Sequence, residues 1–320
     1  MKKKLFTVLK LLLPFIAIAI SVLTYYSIED NGKQKKMDHP YYLYLLAVIG
    51  GVILLEILAG LFNEKIRKRI LYKAPFLTGV IVFLLLLNYV TTKTTMLPTL
   101  YFPSLDRIIG LLVESRVFLL ENVGDSLKLL ATGFVWGASV GFLTGLMLGY
   151  FKVVGYWLNP ITKIIGPIPT TAWIPLALST FPTTHEANVF LIAFAVWFPV
   201  TLMTSSGIQS INNVNFEVSR TLGASTLYQI IHVAIPAAMP SIFLGAFYGT
   251  VSSFATLMAV EMNGNSSGIG WYINWQKSVM LYDGVYAGLI IIAVICSLTL
   301  TILFKVRDRV LTWQKGVIKW

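Results

Sequence analysis

The sequence predicts an all-α fold, a polytopic bundle of membrane-spanning helices, on three observations. First, 56% of the 320 residues are hydrophobic and only 12% charged, with mean hydropathy +0.75, against about 25% charged in soluble domains. So little charge leaves too little polar surface to cover a globule of this size in water. Second, the apolar residues fall into blocks close to the ~20 residues that cross ~30 Å of hydrocarbon. Third, the blocks are continuous, without the two-residue alternation of a membrane barrel. Helices satisfy every backbone group within their own segment, so they are what such blocks form in lipid.

Eight spans are expected, at 8–28, 41–63, 74–92, 127–150, 157–180, 187–208, 237–261 and 283–304. Lys2, Lys3 and Lys4 precede the first apolar run, Leu11 to Leu23. The residues after it, Thr24-Tyr25-Tyr26-Ser27-Ile28, are not the small ones a signal-peptide cleavage site needs. The first block therefore reads as an uncleaved span ending in interfacial tyrosines. The second span carries an isolated acid, Glu56, for which pairing or protonation is the favoured reading and a functional role the other.

Between the third and fourth spans, Met96 to Ser126 is longer than a turn. After Pro98 and Pro103, Ser104 can cap a helix in which Leu105, Ile108, Ile109, Leu112 and Val113 share one face. Asp106, Arg107 and Glu114 take the other face, as in an amphipathic helix lying at the membrane surface.

The fourth span carries Gly133, Gly137, Gly141, Gly145 and Gly149, a four-residue stripe suited to close helix packing or to a subunit contact. The fifth contains Pro160, Pro167, Pro169 and Pro175, each of which removes a backbone donor. Broken helix at membrane depth is tolerated where it is buried or lines a cavity. Thr170, Thr171 and Trp173 could thus face a solute pathway, or the segment could be a kinked packing helix.

The basic residues fix the orientation. With the N-terminus inside, the inner segments hold 15 Lys and Arg, including Lys315 and Lys319, and the outer segments hold 8. Lys and Arg collect on the cytoplasmic side, so both termini are expected there. The net charge of +11 follows the loops, not a basic face on a soluble fold, so nucleic acid is not the partner implied. Cys296 stands alone in an apolar block, and His39, His185 and His232 lack metal-ligand spacing.

The most informative segment is the inner connection from Asn215 to Pro236. Two short helices broken at Gly223 fit it, with Phe216, Leu222, Leu227, Ile230 and Ile231 as apolar anchors. Glu217 and Arg220, three apart, share a face and can pair. Glu217, Gly223, Val233, Ile235 and Pro236 stand at the spacing of the signature loop of binding-protein-dependent ABC importer permeases, which the segment resembles. It departs from that pattern at Val218 and Ser219, where alanines are usual, and conservatively at Val233 and Ile235. Further likeness points to the nitrate/sulfonate/taurine type. It rests on Leu97-Pro98, Pro167-Ile168-Pro169, Arg220 to Ser225, and Glu261 followed by a glycine-rich loop to Trp271-Tyr272.

That resemblance, covering about 70% of the chain from Leu97 to Trp320, implies a type I ABC importer-like permease core with extra N-terminal spans. It implies a homodimer in the bacterial inner (plasma) membrane, with cytoplasmic ABC ATP-binding subunits and an extracytoplasmic solute-binding protein as partners. ATP and Mg would be bound by the ATPase, with no cofactor, catalytic set or metal in this chain. ATPase coupling would fall to Glu217, Arg220, Thr221, Leu222, Gly223 and Ala224. Glu261, Gly268 and Gly270 would lie at an external gate or binding-protein contact. The cargo implied is a small solute such as a sulfonate, nitrate or bicarbonate, although no arginine sits inside a core span.

The expected division is 1–95 for three N-terminal spans and 96–126 for the external segment. The permease core would occupy 127–308, with its coupling loop at 209–237, and a basic tail 309–320. An ion-coupled secondary transporter is the alternative; it calls for carboxylates at the midplane of core spans and for inverted repeats. The core spans carry almost no such carboxylates.

Overall fold

The computed structural model describes residues 2–94 and 96–313. Thirteen α-helices are found among them: α1 Lys2–Ser27, α2 Tyr41–Phe62, α3 Glu64–Asn88, α4 Leu105–Glu114, α5 Arg116–Tyr150, α6 Lys152–Ile165, α7 Ile174–Thr180, α8 Thr184–Gln209, α9 Asn213–Thr221, α10 Thr226–Gln229, α11 Ile235–Gly264, α12 Ile269–Ser278 and α13 Tyr282–Val310. Among the described residues, seven helices are long and apolar enough to cross a membrane. The expected fifth span is not one of them. It is a pair, α6 and α7, joined by a tight turn at Thr170–Trp173 and bent by 87°. Prolines at 167 and 169 deny the backbone the donors that a straight continuation needs. Lys315 and Lys319, and the tail beyond Trp313, lie outside the described residues.

The described residues form two compact units, Met1–Val117 with Gln276–Ala287, and Phe118–Trp275 with Gly288–Trp320. In the first, α1, α2 and α3 pack around Ala17, Tyr42, Leu46, Ile53 and Ile81. One residue, Asn63, ends α2 and caps α3 by accepting the Lys65 N–H at 2.9 Å. A π-helical turn, Tyr89–Lys93, ends α3. Lys93, its side chain 3% exposed, lies within that turn and reaches inward to Asp30 at 2.7 Å.

Helix α4 belongs to this unit and departs from expectation. Its polar face was expected in water, yet Asp106 is buried and its Oδ1 accepts the Tyr42 N–H at 2.8 Å. Arg107 pairs with Asp283 at 2.7 Å, and Glu114 accepts the Tyr41 hydroxyl at 2.8 Å. The Tyr42 N–H replaces water at Asp106, which is what permits its burial, while Arg107 is half-buried and Glu114 stays exposed. Glu56 is half-buried in α2, and no ion pair to it is found among the described residues.

In the second unit α8 is flanked by α5 and α11. The glycine stripe faces α8 within the same chain. A Cβ on Gly137 would overlap the Ala193 carbonyl oxygen; on Gly141 it would lie 2.9 Å from the Trp197 oxygen, and on Gly145 2.7 Å from that of Thr201. The stripe therefore serves intrachain packing, the first of the two readings above, because only hydrogen fits between the two backbones. Thr144 and Thr201 hydroxyls meet at 2.7 Å across this seam, and the Trp197 indole N–H donates to Thr144 at 3.1 Å. On the other side of α8, Gly245 approaches the Pro199 carbonyl. The core between these helices is Leu129, Leu191, Ile192, Leu257 and Val260.

Candidate functional site

The connection between α8 and α11 forms a compact helical projection. Asn212 caps α9 by accepting the Val214 N–H at 3.0 Å, and Ser225 caps α10 through the Tyr228 N–H. Between them Gly223 has φ +81°, a left-handed conformation that favours glycine. The last turn of α9 closes through Gly223 N–H to the Arg220 carbonyl and Ala224 N–H to that of Ser219, a glycine-terminated helix end.

Two side chains tie this projection to the bundle. Phe216 packs against Tyr150, ring centroids 5.8 Å apart, beside Ile208 and Ala234. Gln229, 1% exposed, accepts the Tyr150 hydroxyl at 2.8 Å. Its amide donates to the Phe216 carbonyl at 3.2 Å and to the Ser219 hydroxyl at 2.9 Å. Sequence reasoning missed Gln229, because an uncharged amide in a loop has no signature apart from its partners.

Of the five expected anchors, Phe216 packs against the bundle and Ile230 is buried. Leu222 is 82% exposed and Leu227 66%, and Ile231 is exposed as well. Leu222 is the C-terminal cap of α9, its N–H still bonded to the Val218 carbonyl at 3.2 Å, and the chain turns only at Gly223. Glu217, Arg220, Thr221 and Gly223 are also exposed, while Ala224 is half-buried. The expected ion pair between Glu217 and Arg220 is not found among the described residues; both side chains are in solvent, where such a pair gains little. Val214, Val218 and Leu222, all exposed, follow four-residue spacing and form one apolar row.

At the opposite end of α11 the expected outer residues form an internal clasp. Glu261 is 1% exposed. Its two carboxylate oxygens accept the Ser126 hydroxyl from α5 and the Gly270 N–H from α12, each at 2.7 Å. Ser126 in turn accepts the Ile269 N–H at 2.8 Å, and Asn122 accepts that of Gly268 at 2.9 Å. A carboxylate at the start of α12 also suits the positive end of that helix. Gly268 has φ +104°, and a side chain there would run into the Glu261 carboxylate. Because Glu261, Gly268 and Gly270 are all buried, none presents a surface; Asn263, Gly264 and Ser266 are the exposed residues of this loop.

At the bend between α6 and α7, Thr171 is exposed, while Thr170 and Trp173 are half-buried. The Trp173 ring meets Phe194 edge-on at 5.8 Å, and its indole nitrogen is buried without a hydrogen-bond partner among the described residues. Phe194 stacks between Phe190 and Trp197 along α8, beside a cavity of about 630 Å³.

The spanning helices, tightly packed glycine seam and projecting helical connection place the molecule among polytopic helical membrane proteins. Residues 137–312 match the family described as binding-protein-dependent transport system inner membrane component. The chain belongs to that family and is the permease subunit of an ABC importer. It is 32% identical over 186 residues to the putative aliphatic sulfonates transport permease protein SsuC of Bacillus subtilis, covering 58% of this chain and 67% of that one. It is 24% identical over 271 residues to the taurine transport system permease protein TauC of Escherichia coli, covering 80% and 98%. Among solved structures, the inward-facing MetNI methionine ABC transporter aligns with TM-score 0.52 at 16% identity, covering 62% of this chain and 98% of that one. That likeness establishes the shared fold.

Proposed function

We propose that the α9–α10 projection is the coupling element through which cytoplasmic ABC ATP-binding subunits drive this permease. The observation that carries the proposal is the exposed apolar row Val214, Val218 and Leu222 on a projection fastened to the bundle by Phe216 and Gln229. Leu222 fills an apolar groove on the ATPase, Glu217 and Arg220 set the orientation, and Thr221, Gly223 and Ala224 shape the turn. ATP and Mg are held by that partner. The chain works as a homodimer in the bacterial inner membrane with both termini cytoplasmic, and an extracytoplasmic binding protein delivers the solute.

ATP can drive the permease only if the closed ATPase pair binds one membrane conformation better than the other. A shift from 1:99 to 99:1 needs a difference of about 5.5 kcal/mol. A loosely held projection would yield before transmitting that bias, which is why its fastening matters. The solute path runs past Thr170, Thr171 and Trp173 at the broken span, and the Glu261–Gly268–Gly270 clasp holds its outer closure. The cargo is a small solute such as a sulfonate, nitrate or a related small molecule, in keeping with the sulfonate and taurine permeases among the relatives.

Leu222→Glu places a charge in the proposed groove, and Glu217→Lys reverses the orienting charge. Each should leave the permease folded and abolish both ATPase co-purification and uptake. Retention of ATPase subunits and of uptake in Leu222→Glu would sink the assignment.

A further inference from the structure

The N-terminal part of the first compact unit, up to Val117, precedes the family match, and it contains a polar cavity of about 110 Å³. The cavity forms where Tyr25 ends α1, Thr92 ends the π-turn after α3, and Ser104 and Asp106 begin α4. Gln34 closes it from the α1–α2 connection and is 6% exposed. The Gln34 amide nitrogen donates to two carbonyls, Thr91 at 3.1 Å and Phe102 at 2.9 Å. These two acceptors fix which way the amide faces and leave its Oε1 buried without a donor among the described residues.

The inner wall is made of acceptors. Asp106 is 8% exposed and receives the Tyr42 N–H and the Tyr25 hydroxyl, which fills only part of a carboxylate's roughly four acceptor sites. The Thr92 hydroxyl, which lines the cavity, donates its own proton to Asn88 and so can only accept from a guest. Lys93, the internal cation, already spends its ammonium on Tyr25, Ile28 and Asp30. What remains calls for a donor-rich, positively charged guest, since a buried acceptor left without a donor is costly. The rim has the opposite character: Lys35 and Lys36 border the cavity with exposed side chains.

The level of the cavity supplies the rest. The candidate spans Lys10–Ser27, Tyr41–Phe62 and Glu64–Lys93 all end or begin beside it. Tyr25 with Tyr26, and Tyr41 with Tyr44, form edge-on pairs there, the aromatic signature of a membrane–water interface. We propose that this cavity binds a zwitterion with a primary ammonium a few bonds from an oxyanion, and that its source is the phosphoethanolamine headgroup of a membrane lipid. The ammonium enters the acceptor-lined pit and the phosphate meets Lys35 and Lys36. A trimethylated choline headgroup carries the same charges but no N–H and cannot satisfy Gln34.

The test is the melting temperature of the purified full chain in lipid–detergent micelles. Adding phosphatidylethanolamine should raise it by several degrees over the same amount of phosphatidylcholine, and Asp106→Asn should erase the difference. Should Asp106→Asn not fold, the exposed double change Lys35→Gln/Lys36→Gln should reduce the same difference. Equal stabilisation by the two lipids, or equal stabilisation by phosphatidylglycerol, would overturn the ammonium assignment. Free phosphoethanolamine reproducing the effect in phosphatidylcholine micelles would support the zwitterion chemistry and overturn the lipid source.

Discussion

Replacing Gln229 with leucine tests whether the projection is fastened as described. The change keeps the volume roughly constant and removes three hydrogen bonds, those to Tyr150, Phe216 and Ser219. At ~1 kcal/mol net for each bond, the loss is about 3 kcal/mol. Better burial of the apolar side chain offsets about 1 kcal/mol of that. The remaining ~2 kcal/mol lowers the free energy of locally opening α9, which corresponds to about 30-fold faster amide exchange. The assay is hydrogen–deuterium exchange with mass spectrometry on peptides covering 213–221, with α8 peptides as the internal reference. Exchange in α9 unchanged from wild type, with Gln229→Leu folded, would refute the claim that this side chain holds the projection.

Three further outcomes are expected. Gly137→Ala should lower the melting temperature strongly, because its Cβ overlaps the Ala193 backbone, whereas Gly124→Ala, with nothing within 4 Å, should not; thermal melts of the two variants check this. Glu261→Ala strips the partner from the Gly270 N–H and should cost about 1–3 kcal/mol locally, read as faster proteolysis at Asn263–Ser267 than in Glu261→Gln, which keeps one acceptor. Burial pushes the Asp106 carboxyl above the ordinary range, partly opposed by the Tyr42 N–H. Its folded form therefore binds the proton more tightly than the unfolded form. The resulting stability is full below the unfolded value of about 3.9 and is lost as pH rises through the folded value. Asp106→Asn should remove that part of the pH dependence from melts recorded upward from pH 4.

Periodic features were legible in the sequence, and pairwise ones were not. The glycines at 133 to 149 repeat with the helix, so their shared face could be read without a partner in view. The prolines around Gly166 marked where the fifth span breaks, but a missing donor does not say which way the chain turns, and the 87° bend emerges only with the packing. Glu261 stood out as an acid at the end of an apolar block. Its part in the clasp depends on Ser126, 135 residues earlier, and a lone serine in a helix carries no such sign. Asp106 failed in the other direction: a carboxylate on the polar face of an amphipathic helix reads as solvated, and the Tyr42 N–H that draws it inward lies 64 residues away.

The seam between α5 and α8 has a mechanical consequence. Its notches recur every four residues, about 6 Å along the axis at ~1.5 Å per residue. Repeating notches fit equally well after a one-step slide, so shape alone does not choose the register. The hydroxyl pair of Thr144 and Thr201, with the Trp197 indole on the same oxygen, occurs at one step only. Those polar atoms act as the main index pin of the rail, seconded by the longer Gln209 amide bond to the Leu148 carbonyl at 3.4 Å, and a threonine-to-valine change there would loosen the rail while leaving its fit intact.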